Sequence, residues 1–169
     1  ENFMSLVLVI DIQERLTPVM SGAEELVANS LKFLQIAKEL GIKIIATEQY
    51  PKGLGNTIDS LDDFIDEKFQ KMEFSAYNAI KDQLTMVNNI YIIGIEAHIC
   101  VYQTALDLIK NGYNVTLIDE CISSRDPKNK SLAYANLKNI SVKPLEMVAF
   151  ELLKSAEHAS FKTISELIK

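Results

Sequence analysis

Cys100 lies just after the apolar run Tyr91-Ile92-Ile93-Gly94-Ile95 and just ahead of a helical pattern that starts at Val101. A helix N-terminus leaves backbone N–H groups unpaired and carries partial positive charge. A thiol placed there is biased toward the thiolate, the form that attacks carbonyl carbons. Two further groups suit such a nucleophile. Asp11 closes the first apolar run, and Lys71 lies in Lys71-Met72-Glu73-Phe74-Ser75. Asp11 can take the thiol proton, although a carboxylate of pKa ~3.9 accepts it from a thiol of pKa ~8.5 only uphill. A nearby Lys71 ammonium would stabilise the thiolate, and backbone N–H groups in the turn before Cys100 would serve as oxyanion donors. This chemistry requires neither a metal nor a cofactor.

Taken singly, each residue has a plainer reading. An Asp at a strand end caps a turn, a lone Lys is solvated, and a lone Cys at a strand–helix junction packs as a small apolar group. Cys121 follows Asp119-Glu120 without a glycine-led turn or a helix directly after it, so it reads as a packed thiol. The case for a site rests on whether the chain brings Asp11, Lys71 and Cys100 to one place.

The elements that must do so alternate. Strands are expected at Ser5–Ile10, Ile42–Thr47, Lys68–Met72, Ile90–Ile95, Val115–Ile118 and Ser141–Lys143, from short apolar runs bounded by turn residues. Helical spacing is expected over Ala23–Leu40, Thr57–Asp66, Ala76–Thr85 and Val101–Lys110, then from Pro127, over Leu145–Leu153 and over Ser160–Ile168. Glu48 to Asn56, with Pro51, Gly53 and Gly55, reads as a loop. Alternation of this kind predicts a three-layer α/β/α, Rossmann-like fold around a mainly parallel sheet of about six strands, in one domain over residues 1–169. Ligands of such sheets bind outside the carboxyl ends of the strands. Asp11, the loop after Thr47, the Gly94–Cys100 turn and Asp119 share that edge, and Lys71 joins them if its strand forms.

Composition narrows the classes of function. The net charge of −6 argues against a nucleic-acid partner, which needs a basic surface. The two cysteines are too few for a disulfide framework, and no Cys/His spacing matches a zinc site, so a reducing, cytoplasmic compartment is expected. The apolar start, Phe3 to Ile10, soon meets Asp11, Glu14 and Arg15 and reads as neither a signal peptide nor a membrane span. The loop Pro51-Lys52-Gly53-Leu54-Gly55 lacks the spacing of a phosphate loop, and the first strand leads into no Gly-x-Gly-x-x-Gly.

The motifs together resemble the isochorismatase-like cysteine hydrolases, a group that includes nicotinamidases and N-carbamoylsarcosine amidases. Asp11-Ile12-Gln13 looks like that family's Asp-x-Gln, Lys71-Met72-Glu73-Phe74-Ser75 like its Lys-x-x-Phe-Ser, and Gly94-Ile95 with Cys100-Val101 like its glycine turn and nucleophile. Thr47-Glu48-Gln49-Tyr50-Pro51-Lys52-Gly53-Leu54-Gly55 looks like the small isochorismatase domain-containing branch. The resemblance implies a catalytic triad of Asp11, Lys71 and Cys100. It also implies a cis peptide between Ile95 and Glu96, with the Glu96 and Cys100 N–H groups on the oxyanion. Pocket residues are expected among Gln13, Glu48, Gln49, Tyr50, Phe74 and His98, although Glu48 and His98 could instead bond backbone and Phe74 could be core.

Metal-binding nicotinamidases carry Asp-x-His and a second His in the loop after the second strand. This chain has only His98 and His158, so no metal and no cofactor are expected. The resemblance thus implies a hydrolase of a small amide-like molecule, assembled as a dimer or larger homo-oligomer. Other readings are a scaffold that keeps the fold without turnover, an isochorismatase-type vinyl ether hydrolase, and a thiol redox protein. The Cys100–Cys121 separation, which is no Cys-x-x-Cys, counts against the last of these.

Overall fold

The computed structural model describes residues 4–169. Phe3, the first residue of the leading apolar run, lies outside them. Strands β1 (Ser5–Ile10), β2 (Lys43–Gln49), β3 (Glu67–Lys71), β4 (Asn89–Ile95), β5 (Asn114–Ser123) and β6 (Ser141–Lys143) form one six-stranded sheet in the order β3-β2-β1-β4-β5-β6. Every neighbouring pair is parallel. Parallel neighbours need crossover connections, and the helices that supply them cover both faces of the sheet.

The main helices are α1 (Ala23–Glu39), α5 (Tyr102–Lys110), α6 (Pro127–Asn136), α7 (Leu145–Leu153) and α8 (Phe161–Ile168). Short helical turns are α2 (Pro51–Leu54), α3 (Asp59–Asp62) and α4 (Tyr77–Ile80). α1 carries Glu24 and Glu25 in its first turn and Lys38 in its last, the charge order that suits the helix dipole. α6 opens at Pro127 and is capped by the Asp126 side chain, which accepts from the Lys128 N–H at 2.9 Å.

Alternation along β1 builds two cores. Val7 and Val9 pack with Phe33, Leu34 and Ile36 of α1 and with Val148 of α7. Leu6, Leu8 and Ile10 point the other way, toward Ile80, Ala105 and Leu108. All six residues of β1 are therefore buried. β1 and β4 run side by side, with Ile10 opposite Gly94. Gly94 has φ +143°, and a Cβ there would lie 2.3 Å from the Ile10 carbonyl oxygen, so this close approach demands glycine.

Several elements differ from their sequence-based bounds. The expected helix over residues 57–66 is only α3, and the one over 76–85 divides into α4 and a 3-10 turn at Lys81–Gln83. β5 runs on through Asp119 and Glu120 to Ser123. Polar residues there interrupt the apolar run, and the pairing with β4 shifts register between Ile92 and Gly94 before it resumes at Ile122. The segment after Thr47 stays in β2 as far as Gln49 and then makes the helical turn α2. The chain after β4 enters a π-turn, Ala97–Val101, before α5. Cys100 is the fourth residue of that π-turn, in the first turn of the helical segment that α5 continues.

Candidate active site

The sheet order reverses between β1 and β4, and the crevice outside the strand ends at such a reversal is where ligands of open α/β sheets bind. Asp11 follows β1 directly. Its φ of +56° turns the chain away from the sheet, while its N–H donates to the Thr47 carbonyl at 3.2 Å. Lys71 is the last residue of β3 and pairs in register with Gln49 at the end of β2. Cys100 follows β4. Three separate strands thus deliver the three residues to one edge.

They meet there. Lys71 Nζ lies 2.9 Å from Asp11 Oδ2, and the other carboxylate oxygen, Oδ1, accepts from Thr47 Oγ1 at 2.8 Å. The Cys100 thiol donates to Gln49 Oε1 at 4.0 Å and lies near enough to Asp11 and Lys71 to feel both charges. Lys71 Nζ further donates to Gln49 Oε1 at 2.6 Å, to the Phe74 carbonyl at 2.8 Å and to the Glu73 carbonyl at 3.2 Å. Asp11, Lys71 and Cys100 are all buried.

Burial decides the electrostatics. It raises the Asp11 carboxyl above its ordinary value, against the opposing pull of the Lys71 ammonium. Burial, and then the Asp11 charge, push the Cys100 thiol up to about 12, again against Lys71. The resting sulfur is therefore a thiol. Burial and the neighbouring Asp11 carboxylate outweigh the bias toward thiolate expected at a helix start. Proton transfer to Asp11, with Lys71 in contact, is the available route to the thiolate. Cys121 is fully buried and its thiol is also pushed up by burial, in keeping with a packed residue.

The expected pocket residues divide. Gln13 is fully buried and spends its side chain on backbone: Oε1 accepts from Gln49 N at 2.7 Å, and Nε2 donates to the Gln49 and Gly55 carbonyls at 3.0 and 2.8 Å. Glu48 is likewise a loop clamp, accepting from the Thr57 N–H at 2.6 Å and its hydroxyl at 2.8 Å. His98 turns to α6 and β5, with Nδ1 2.9 Å from Ser124 Oγ and Nε2 3.5 Å from Asn129 Nδ2. Loop geometry engages the side chains of these three with structural partners. Tyr50 and Phe74 are exposed beside Lys71. Tyr50 lines, with Pro51, Lys52, Gln70 and Met72, a groove of about 400 Å³ against Lys71. Gln49 reaches the cluster with its side chain, through Lys71 Nζ and at 4.0 Å from Cys100 Sγ, and Phe74 reaches it with its backbone carbonyl.

The Ile95–Glu96 peptide is cis. The Glu96 carboxylate accepts from the Arg125 backbone N–H at 3.0 Å and from its Nε at 3.2 Å. Thr47 and Arg125 are site partners that sequence reasoning missed. Thr47 had a signal, since a strand-end hydroxyl beside Asp11 follows once β1 and β2 pair. Arg125 had none.

A parallel six-stranded sheet with a buried Asp–Lys–Cys cluster at its switch point defines an isochorismatase-like hydrolase fold. The isochorismatase domain model matches residues 5–147. The chain is 33% identical to isochorismatase family protein 1A of Dictyostelium discoideum, over 96% of this chain and 85% of that protein. It is 34% identical to isochorismatase domain-containing protein 1 of Danio rerio, over 98% of this chain but only 61% of that longer protein. Among solved structures, a Caenorhabditis elegans protein described as MAR1 ribonuclease superposes with a TM-score of 0.95 at 32% identity, covering 99% of this chain and 91% of that one. The chain belongs to the isochorismatase domain family.

Proposed function

We propose that this chain is a cysteine hydrolase that cleaves a small amide-like C–N bond through a thioester, with Asp11, Lys71 and Cys100 as its triad. The observation that carries the reading is the buried contact of Lys71 Nζ with Asp11 Oδ2 at 2.9 Å, with Cys100 Sγ 4.0 Å from the Gln49 oxygen that the same ammonium holds. In the first step Asp11 takes the Sγ proton and Lys71 stabilises the thiolate. Sulfur attacks the carbonyl carbon, and the C=O electron pair moves to oxygen, held by the Glu96 and Cys100 N–H groups. Collapse breaks the C–N bond, and the amine leaves with the proton from Asp11. Asp11 then deprotonates a water, whose oxygen attacks the thioester. Collapse releases the carboxylic acid, and the thiolate recovers its proton.

The reading is metal-independent, and the donor set supports it. Thr47 and Gln49 are poor metal ligands, and Glu48 is occupied by Thr57. Tyr50 at the groove, and the exposed Phe74 whose carbonyl holds Lys71, would contact the substrate. An RNA substrate, suggested by the description of the Caenorhabditis relative, fits poorly with a net charge of −6. Assembly into a homo-oligomer is part of the proposal, and light scattering tests it.

The function is tested with a panel of small amides, a vinyl ether and RNA, each with wild type and Cys100→Ala. Amide cleavage lost in the variant supports the reading. Turnover only of the vinyl ether or RNA, or a Cys100 no more reactive than Cys121 in an inert protein, overturns it.

A further inference from the structure

The cycle above does not use the buried side chain of Gln49. Every polar group of Gln49 has a partner. Its backbone N–H and carbonyl are both held by the Gln13 side chain, at 2.7 and 3.0 Å. Its Nε2 donates to the Met72 carbonyl at 2.7 Å, and its Oε1 accepts from Lys71 Nζ at 2.6 Å. A carbonyl only accepts and an ammonium only donates, so the amide has one possible orientation. Its oxygen is turned to Lys71, and the Cys100 sulfur lies 4.0 Å from that same oxygen.

Lys71 has four acceptors within 3.2 Å, namely Asp11, Gln49, Phe74 and Glu73, for its three hydrogens. Those to Asp11 and Phe74 hold the ammonium over β1 and over the loop after β3. The hydrogen aimed at Gln49 Oε1 points to the acceptor that also lies beside the sulfur. When the thiol proton moves to Asp11, that carboxyl becomes neutral and the sulfur becomes the anion in need of a donor.

We propose that Gln49 is a positioning residue of this site: its amide oxygen holds the Lys71 ammonium on the Cys100 side, with one hydrogen poised to turn from the amide to the thiolate. Lys71 remains an ammonium throughout, and the only proton that changes owner goes from Sγ to Asp11. This rests on the triad reading above.

The test needs no substrate. Iodoacetamide alkylation of Cys100 is followed by peptide mass spectrometry across pH, with Cys121 as the internal reference and thermal melts to confirm folding. Gln49→Met removes the acceptor at similar volume. It is expected to move the alkylation midpoint up by about one pH unit, which is about tenfold in rate at a fixed pH below it. Gln49→Glu keeps the shape but claims the ammonium with a full charge, and should slow alkylation further. If Gln49→Met does not fold, Gln49→Glu carries the test. A folded variant that titrates like wild type, while Lys71→Met shifts the profile, overturns the role of Gln49 alone. A wild-type Cys100 that reacts no faster than Cys121 overturns the triad reading and this inference together.

Discussion

Lys71 Nζ and Asp11 Oδ2 lie 2.9 Å apart with side-chain exposures of 3% and 0%, an ion pair removed from water on all sides. Such a pair adds little net stability compared with apolar residues, but leaving one partner unpaired costs about 3–5 kcal/mol. Lys71→Met should lose that amount in urea denaturation at neutral pH, because the Asp11 carboxylate stays buried with Thr47 as its remaining polar anchor. Adding Asp11→Leu to Lys71→Met should recover much of the loss. A Lys71→Met protein as stable as wild type would contradict the buried pairing.

The Asp11 and Cys100 shifts predict how stability depends on pH. Asp11 is raised in the fold, so its share of stability is complete below its ordinary 3.8 and is lost as pH rises through the folded value. Wild type should therefore lose stability relative to Asp11→Asn as pH climbs from acid toward neutral. Cys100 behaves likewise at the other end. Its share is complete below the ordinary 9.0 and is lost as pH rises toward about 12. Denaturation curves across that alkaline window should fall more steeply for wild type than for Cys100→Ala. Parallel curves would show that the thiol is not held in its neutral form.

Gly94→Ala tests the seam between β1 and β4. The added Cβ would meet the Ile10 carbonyl oxygen at 2.3 Å, a backbone atom that cannot rotate away, at a φ of +143°. Overpacking of this kind costs about 1–3 kcal/mol, and the disfavoured backbone conformation adds to it. The expected result is a melting temperature lowered by several degrees or an insoluble protein, with Cys100 alkylation altered in whatever folds. An unaffected melt would mean that the two strands do not approach this closely.

The central strands were legible because parallel strands covered on both faces read as continuous apolar runs, as Ser5–Ile10 and Ile90–Ile95 do. The Asp11, Lys71 and Cys100 cluster was legible as three residues at or just beyond strand ends, since the end of a parallel strand marks the binding edge. What the sequence concealed was side-chain direction. Gln13, Glu48 and His98 lie at that edge, yet each turns to a loop or helix partner that becomes adjacent only after folding. The π-turn at Ala97–Val101 has no compositional mark, and it makes the helix start at Cys100 a buried one. Gln49 reads only as one of six expected pocket residues until the register places it opposite Lys71.

The central claim, that Cys100 attacks a carbonyl, is tested most directly by stopping the reaction at its intermediate. Protein incubated with a small amide that it cleaves is acid-quenched within one turnover and its peptides are weighed. The account predicts an acyl adduct on the Cys100 peptide that appears with the first amine released, decays as acid forms, and is absent with turnover in Cys100→Ala. Undiminished turnover by Cys100→Ala, with no adduct on the wild-type peptide, would contradict it.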